Sequence, residues 1–495
     1  YVKGAPEETL ALCTHIRCGA TEQPLCEDAR ADVLAANNSF ARAGLRVLAV
    51  ATRPWSDHGP VTPATVECGL TFLGLMAMQD PPRPEVSEAV ARCHHAGIRI
   101  IMITGDYGLT AASIAQRIGI VRTPLPRIIT GAELDGMDDA ALHEALAEEV
   151  IFARVAPEHK LRVVSTLQAA GDVVAVTGDG VNDAPALRKA DIGVAMGLSG
   201  TDVAKEAADI ILTDDNFASI VNAVEEGRAV YANIKKFTCY IFTSNTPEAL
   251  PVILFALSGG RIPLALTVMQ ILAVDLGTDL APALALGAEA AEPGVMDRPP
   301  RRLSEHVISR ALLVRAYVWL GPAQALIAMA AFYYQYWQNG FAGQWLDLPG
   351  DGWIYASATA MTLAAVVTTQ IGNLFAQRTT RMSIVHVGFF SNRLVWYGIV
   401  SEVVLIFLLV YVPLLQRIFG TAAFDLRNWI FLFAWAPTLL VIDEVRKALL
   451  RAKKTKPGHR WTQMNTEKTK AQISMCFFSD YETRVRIQRI PVFTV

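Results

Sequence analysis

Apolar positions follow two different patterns along this chain, and the change falls near residue 230. Before it, short β-branched runs alternate with segments of helical period. The runs Leu70–Met78, Ile98–Ile103, Ile151–Arg154, Val173–Val176, Ala190–Met196 and Ala208–Leu212 have the length and composition of buried strands. Between them Glu85–Ala96 reads as a helix closed by Gly97, and Pro157–Gln168 as a helix opened by a proline at its first position. That alternation predicts a doubly wound parallel sheet with its βα loops gathered on one edge. Nearer the start, Tyr1–Glu7 reads as a short strand and turn. Residues 27–43 read as a helix with Val33, Leu34 and Phe40 on one face, and Gly44–Ala51 as a turn into a strand. After residue 230 the apolar stretches lengthen to the roughly 20 residues that cross a bilayer as a helix. Six spans are predicted, at about 237–258, 263–286, 311–334, 354–376, 394–413 and 428–445.

Composition agrees with a membrane protein. The chain of 495 residues is 52% hydrophobic, with a mean hydropathy of +0.31, too apolar for an ordinary soluble protein. A net charge of −3 gives no electrostatic case for binding nucleic acid, so no such partner is expected. Seven cysteines without C-x-x-C spacing point to reduced thiols rather than zinc ligands or disulfides. Basic residues mark one side of the spans: Lys235, Lys236, Arg298, Arg301, Arg302, Arg310, Arg378, Arg381 and the stretch from Arg446 to Lys456. The loop from Tyr336 to Gly352 has no Lys or Arg. This asymmetry predicts a multi-pass membrane protein with the soluble part and the C-terminus cytoplasmic, although Arg417 and Arg427 run against it.

Candidate chemistry sits where the predicted strands end. The run Val173–Val176 stops at Thr177-Gly178-Asp179-Gly180, where two glycines allow a sharp turn close to a ligand. Asp179 and Asp183 are hard oxygen donors suited to Mg²⁺ beside a phosphate. After Ile103, the Thr104 hydroxyl and the neighbouring amides are placed to hold a phosphoryl oxygen. Lys160, near the start of its helix, can neutralise charge on a transferring group. Lys3-Gly4 reads either as a surface turn or as an ammonium beside a nucleotide, and Arg46 as an ordinary exposed strand end. Acids inside membrane spans are costly and mark ion paths. Ser244, Asn245 and Glu248 lie close together on the first span, where Pro247 and Pro251 free backbone carbonyls. On the second span Asp275, Thr278 and Asp279 are expected on one helical face. Gln370, Asn373 and Glu402 add polar groups to later spans, and hydrogen bonding between helices is a competing role for Gln370 and Asn373.

The string TGDGVNDAPAL at Thr177–Leu187 resembles the hinge motif of P-type cation-transporting ATPases, a branch of the haloacid dehalogenase-like phosphotransferases. The likeness spans roughly residues 1–450 and includes KGAPE at 3–7, DPPR at 80–83, TGD at 104–106, SNTPE at 244–248, VDLGTD at 274–279 and MDRPPR at 296–301. It implies an α/β protein with an all-α membrane domain. Residues 1–68 would be the C-terminal part of a nucleotide-binding domain. Residues 69–230 would be a dehalogenase-like, doubly wound phosphorylation domain lacking its first strand. Residues 231–450 would be a cation-transport domain of six transmembrane helices, and 451–495 a cytoplasmic tail. It further implies phosphoryl-transfer roles for Thr104, Gly105, Asp106, Lys160 and Asn182, Mg²⁺ at Asp179 and Asp183, and nucleotide contacts at Lys3, Gly4, Arg46, Asp80 and Arg154. The transported ion would meet Ser244, Asn245, Glu248, Asp275, Thr278, Asp279, Gln370, Asn373 and Glu402. The activity implied is ATP-driven transport of Na⁺, K⁺, H⁺ or Ca²⁺ through an aspartyl-phosphate, in a plasma or cell membrane, with accessory subunits undefined. Asp275 is more similar to the sodium and proton/potassium branches than to calcium pumps of the reticulum type.

Two features resist that picture. Asp-Lys-Thr-Gly, the strand-end motif carrying the acceptor aspartate, occurs nowhere in the chain, so the acceptor and its strand are expected upstream of Tyr1. Residues 457–495 are polar with scattered aromatics and no clear period, as in a disordered tail or a foreign sequence. A non-catalytic membrane protein that binds nucleotide and Mg²⁺, and a membrane-tethered dehalogenase-type phosphatase, remain as alternatives.

Overall fold

The β-branched runs of the first half become the strands of two sheets. The computed structural model describes residues 1–55, 62–79, 81–301, 304–454 and 473–478. It comprises two compact units, one of residues 1–223, 296–302 and 470–495, the other of residues 224–295 and 303–469.

In the first unit, β1 (Val2–Gly4), β2 (Cys13–Cys18), β3 (Thr21–Pro24), β4 (Arg46–Thr52) and β5 (Leu70–Met78) form a five-stranded sheet in the order β1-β4-β5-β2-β3. The sheet extends past residue 68, because β5 pairs antiparallel with β4 from Arg46↔Met78 to Thr52↔Thr71. That pairing buries Leu70 and Phe72 with Leu10, Ala49 and Ala51. The predicted helix over 27–43 is Glu27–Arg42, and Gly44 turns the chain at φ +77°.

The second sheet contains β6 (Ile98–Ile103), β7 (Arg127–Thr130), β8 (Val150–Ala153), β9 (Val173–Gly178), β10 (Ile192–Met196), β11 (Ile210–Leu212) and β12 (Ile473–Phe478). Their order is β11-β10-β9-β12-β6-β8-β7, all parallel. Helices such as Pro84–His95 and Pro157–Ala169 connect the strands, as the sequence pattern predicts. Ile101, Ile103, Phe152, Val174, Val176 and Leu187 share one core. From β6 the chain runs out to the edge strand β7, returns to β8 beside β6, then crosses to β9, β10 and β11 on the other side. The crevice above the strand ends at such a reversal is where ligands of open parallel sheets bind.

The sheet was expected to lack its first strand, and the tail to be a disordered or a foreign segment. Instead β12, from the tail, fills the reversal point. It pairs with β6 from Ile473↔Ile98 to Phe478↔Ile103 and with β9 from Ile473↔Val173 to Phe477↔Thr177. One short apolar run in a polar tail gives little periodic signal, and only the open edges of β6 and β9 give it a partner.

Among the described residues of the second unit, five helices are long and apolar enough to cross a membrane: Val268–Gly287, Arg310–Gln338, Gly352–Gln377, Arg393–Tyr411 and Asn428–Ala452. The six predicted spans are thus matched by five. The first lies on the 41-residue helix Phe217–Leu257, where the polar run Ser244–Glu248 and Pro247 dilute the apolar stretch. Gly352–Gln377 is the most enclosed, with 78% of its apolar window buried, so the other helices pack around it. Two charges that mark the basic side in sequence are in fact buried and paired. Arg378 donates to Glu289 at 2.7 and 3.1 Å, and Lys236 lies 3.4 Å from Glu292. Arg315 and Lys447 likewise hold Asp443 at 2.8 and 3.0 Å.

Candidate functional site

Above the reversal point, β9 ends in the turn that carries Asp179, and a short 3₁₀ turn, Val181–Asp183, brings Asp183 back over it. Gly178 is required there: a Cβ on it would stand 2.5 Å from the Asp183 Cβ. The Asp183 carboxylate is fully buried and held from two sides. Lys160 Nζ donates to Oδ1 at 2.6 Å, and the amides of Asp179 and Gly180 donate to Oδ2 at 3.2 and 3.1 Å. The Lys160 side chain is 2% exposed, so this charge-assisted bond lies away from bulk water, where such contacts are strong. The Thr177 hydroxyl is buried beneath the turn without a hydrogen-bond partner among the described residues.

Lys160 is aimed by its own helix. His159 Nδ1 accepts from the Ala156 amide at 3.0 Å, so the proton lies on Nε2, which donates to Asp135 at 2.8 Å. Sequence reasoning missed this pair; the residue three places into a helix, able to cap it, was the available signal. Thr104 follows β6, is buried, and its Oγ1 accepts from the Asp106 amide at 3.1 Å. Gly105 and Asn182 are exposed beside the same edge, and Asp106 is half-buried. Strand topology therefore brings Thr104, Lys160, Asp179 and Asp183 to one edge. Every donor offered by the two aspartates and the threonines is a hard oxygen, which fits Mg²⁺ rather than a soft metal.

Of the nucleotide candidates, Lys3, Gly4 and Arg46 belong to the first sheet, whereas the Arg154 amide donates to the Asp106 carbonyl at 3.2 Å. Lys3 is exposed and opposite Val50 in register, and Arg46 lies four residues from Val50 on β4. Both side chains therefore project from one face of the first sheet. A Cβ on Gly4 would meet Thr9 Oγ1 at 2.7 Å, which accounts for its glycine structurally. Arg154 is at β8's end with φ +51°, an uncommon conformation for a residue with a side chain. Its guanidinium pairs with Glu7 at 3.2 Å and stacks over Tyr107 at 5.0 Å. Asp80 lies outside the described residues.

In the helical unit, Tyr240, Ser244 and Glu248 repeat every four residues along one face of the long helix, and all are buried. Ser244 Oγ donates to Glu248 at 3.3 Å, and Tyr240 OH to Asp279 at 3.5 Å. Gln370 donates to the other Asp279 oxygen at 3.0 Å, Asn373 to Gln370 at 2.8 Å, and Gln377 to Asn373 at 3.0 Å. Tyr240 and Gln377 are the members that sequence reasoning passed over, although the four-residue stripe signals Tyr240. Glu402 is buried, and neither of its carboxylate oxygens has a hydrogen-bond partner among the described residues. Asn245 is half-buried beside Glu248 in a shallow groove that Val252, Ile253 and Ile271 also line. Asp275, Thr278 and Asp279, expected on one face, differ in exposure. The helix opens into a π-turn over Val274–Thr278, with the Asp279 amide bonded to the Val274 carbonyl at 2.9 Å. The wider turn leaves Thr278 and Asp279 buried and Asp275 exposed.

An open parallel sheet with a lysine and two aspartates at its strand ends, in one chain with a set of apolar helices, defines the class of protein. Residues 160–224 match the family described as haloacid dehalogenase-like hydrolase, residues 1–85 that of the P-type ATPase cytoplasmic domain N, and residues 263–449 that of the cation-transporting ATPase C-terminus. A calcium-transporting ATPase 1 of Bacillus cereus is 38% identical over 90% of this chain and 50% of its own length. The human potassium-transporting ATPase alpha chain 2 is 35% identical over 93% of this chain and 49% of its own. A sodium/potassium-transporting ATPase subunit alpha-3 of Gallus gallus is 36% identical over 94% and 51%. The chain belongs to the P-type cation-transporting ATPases, and it spans about half the length of the curated relatives it matches.

Proposed function

We propose that this chain is the catalytic-edge and membrane portion of an ATP-driven cation pump. The observation that carries the reading is the buried Lys160–Asp183 contact at the sheet reversal, beside Thr104 and Asp179. In this reading Asp179 and Asp183 hold Mg²⁺, which supplies charge neutralisation to a phosphoryl group. Lys160, fixed through His159 and Asp135, positions and neutralises the phosphoryl oxygens, and Thr104 donates its hydroxyl to one of them. Gly105, Asp106 and Asn182 complete the polar rim. Lys3, Gly4 and Arg46 form one face for the nucleotide, while Arg154 ties the Glu7 turn to the edge. Asp80 is assigned with this nucleotide set on sequence likeness alone.

The transported cation occupies the buried cluster of Ser244, Glu248, Thr278, Asp279, Gln370 and Asn373, with Asn245 at its rim. Glu402 supplies a further buried carboxylate, and Asp275, facing outward, lies at the approach. Relatives named for calcium, potassium and sodium transport are similarly close, so Na⁺, K⁺, H⁺ and Ca²⁺ all remain as cargo. The soluble unit and the C-terminus lie on the cytoplasmic side, in a plasma or cell membrane, with accessory subunits undefined. The test is ATP hydrolysis by the protein purified at its native length, assayed with each cation in turn. Stimulation by one cation, lost in Lys160→Met and Glu248→Gln, supports the reading; hydrolysis indifferent to every cation refutes transport. The non-catalytic reading is favoured by one observation, the tail strand that fills the reversal point of the sheet.

A further inference from the structure

The position between β6 and β9 admits one strand only. Neighbouring strands stand about 4.8 Å apart, so two strands flanking a third are separated by about twice that distance, too little for a second insert. β12 satisfies both flanks at once, in unbroken parallel register, six residues on β6 and five on β9. Met475 and Cys476 are successive residues and point to opposite faces, yet both are fully buried. Cys476 packs in the same core as Ile101, Ile103, Val174 and Val176. That is how a central strand covered on both faces behaves, not a peptide laid on a surface. The run Ile473–Phe478 has no charge, while Lys468 and Lys470 precede it and Asp480 and Glu482 follow in sequence.

We propose that the cleft between β6 and β9 is a strand-acceptor site, and that its occupant in this chain is the chain's own segment Ile473–Phe478. While that segment is in place, no other strand reaches the edge that carries Thr104, Lys160 and Asp183. An acceptor aspartate delivered on a strand must first displace β12, so the tail holds the sheet folded and the edge unphosphorylated. This rests on the phosphoryl-transfer reading of the edge only for its consequence; the strand exchange itself does not depend on it.

Burial pushes the Cys476 thiol up to about 12, and the cysteine reports directly on the strand. The native full chain is alkylated with iodoacetamide without nucleotide or Mg²⁺, and each cysteine is followed by mass spectrometry. The exposed Cys18, Cys26 and Cys68 and the buried Cys93 are internal standards. Cys476 is expected to react as slowly as Cys93 and at least about tenfold more slowly than Cys18, since a buried thiol reacts through local opening. In Met475→Asp, which places a charge between strand and helices, Cys476 is expected to reach the rate of Cys18. Fast labelling in the unaltered chain overturns the proposal, and so does protection that survives Met475→Asp. A chain ending at Lys470 supplies a second readout. Its Ile98–Ile103 and Val173–Gly178 amides should exchange faster, and a synthetic peptide of residues 471–480 should restore their protection. Failure of the peptide to protect them also refutes the exchange. Because none of these measurements involves Mg²⁺, ATP or cation, the proposal and the pump reading can fail separately.

Discussion

Gly178 and Asp183 are joined by a distance that leaves no room for a methyl group. With a Cβ 2.5 Å from that of Asp183, Gly178→Ala must push the carboxylate away from the Asp179 and Gly180 amides. Mg²⁺ affinity, read by calorimetry on the purified chain, should fall about 10- to 100-fold, as when support around a metal ligand is lost. Lys160→Met leaves Asp183 buried and uncompensated, and should cost about 3–5 kcal/mol of stability in denaturant melts. A pH dependence also resides in one side chain. Burial lowers the pKa of His94, whose Nε2 sits 3.1 Å from the Gly119 carbonyl. Folding therefore favours neutral His94. Its contribution is present above the unfolded value of about 6.5 and is lost as pH falls from there through the lower folded value. His94→Gln should flatten the melting temperature of the first unit between pH 7.5 and 5; an unchanged slope would place that acid sensitivity elsewhere. Asp179, Asp183 and Lys160 were readable in sequence because a strand, a glycine turn and a helix start fix them locally. Arg154 with Glu7 and Tyr107 was not, since those partners meet only after the two sheets have formed.

Elements differ in how far their partners can be inferred from pattern. The strands and five of the predicted spans were legible because runs of apolar residues must be buried somewhere. The π-turn at Val274–Thr278, the buried Arg378–Glu289 pair and β12 were not, because each depends on what a neighbouring element presents. The helix Gly352–Gln377 illustrates the point. At Gly372 a Cβ would collide with the Ala436 carbonyl oxygen, so the last helix approaches backbone to backbone. Gly372→Ala should destabilise the helical unit in detergent by about 1–3 kcal/mol, the usual cost of an added methyl in a packed site. Gly287→Ala, with nothing within 4 Å of its Cβ, should leave the melting temperature unchanged. Equal effects at the two positions would mean that this contact does not govern packing.

At the scale of the whole molecule, β12 bears on how many times the chain crosses the membrane. Ile473–Phe478 pairs with Ile98–Ile103 in one sheet, so the chain must leave and return to the same side, which takes an even number of crossings. The five apolar helices give an odd number. We propose that the helix Phe217–Leu257 is the sixth: its polar stripe of Tyr240, Ser244 and Glu248 is buried, so a modest hydropathy does not bar it from crossing. Three crossings then separate the first unit from Gly350, whereas only two do so if the long helix stays on one side. Gly350 has open surroundings, with its nearest contact an ordinary 3.9 Å to Pro263, and Gly350→Cys should be tolerated. In sealed vesicles of uniform orientation, a membrane-impermeant maleimide should label either the thiol introduced at position 350 or the exposed Cys18, Cys26 and Cys68, and never both sets. Labelling of both from one side would show that the long helix does not cross. Five crossings would then put the tail on the far side from β6 and β9, and β12 could not form in the membrane-embedded protein.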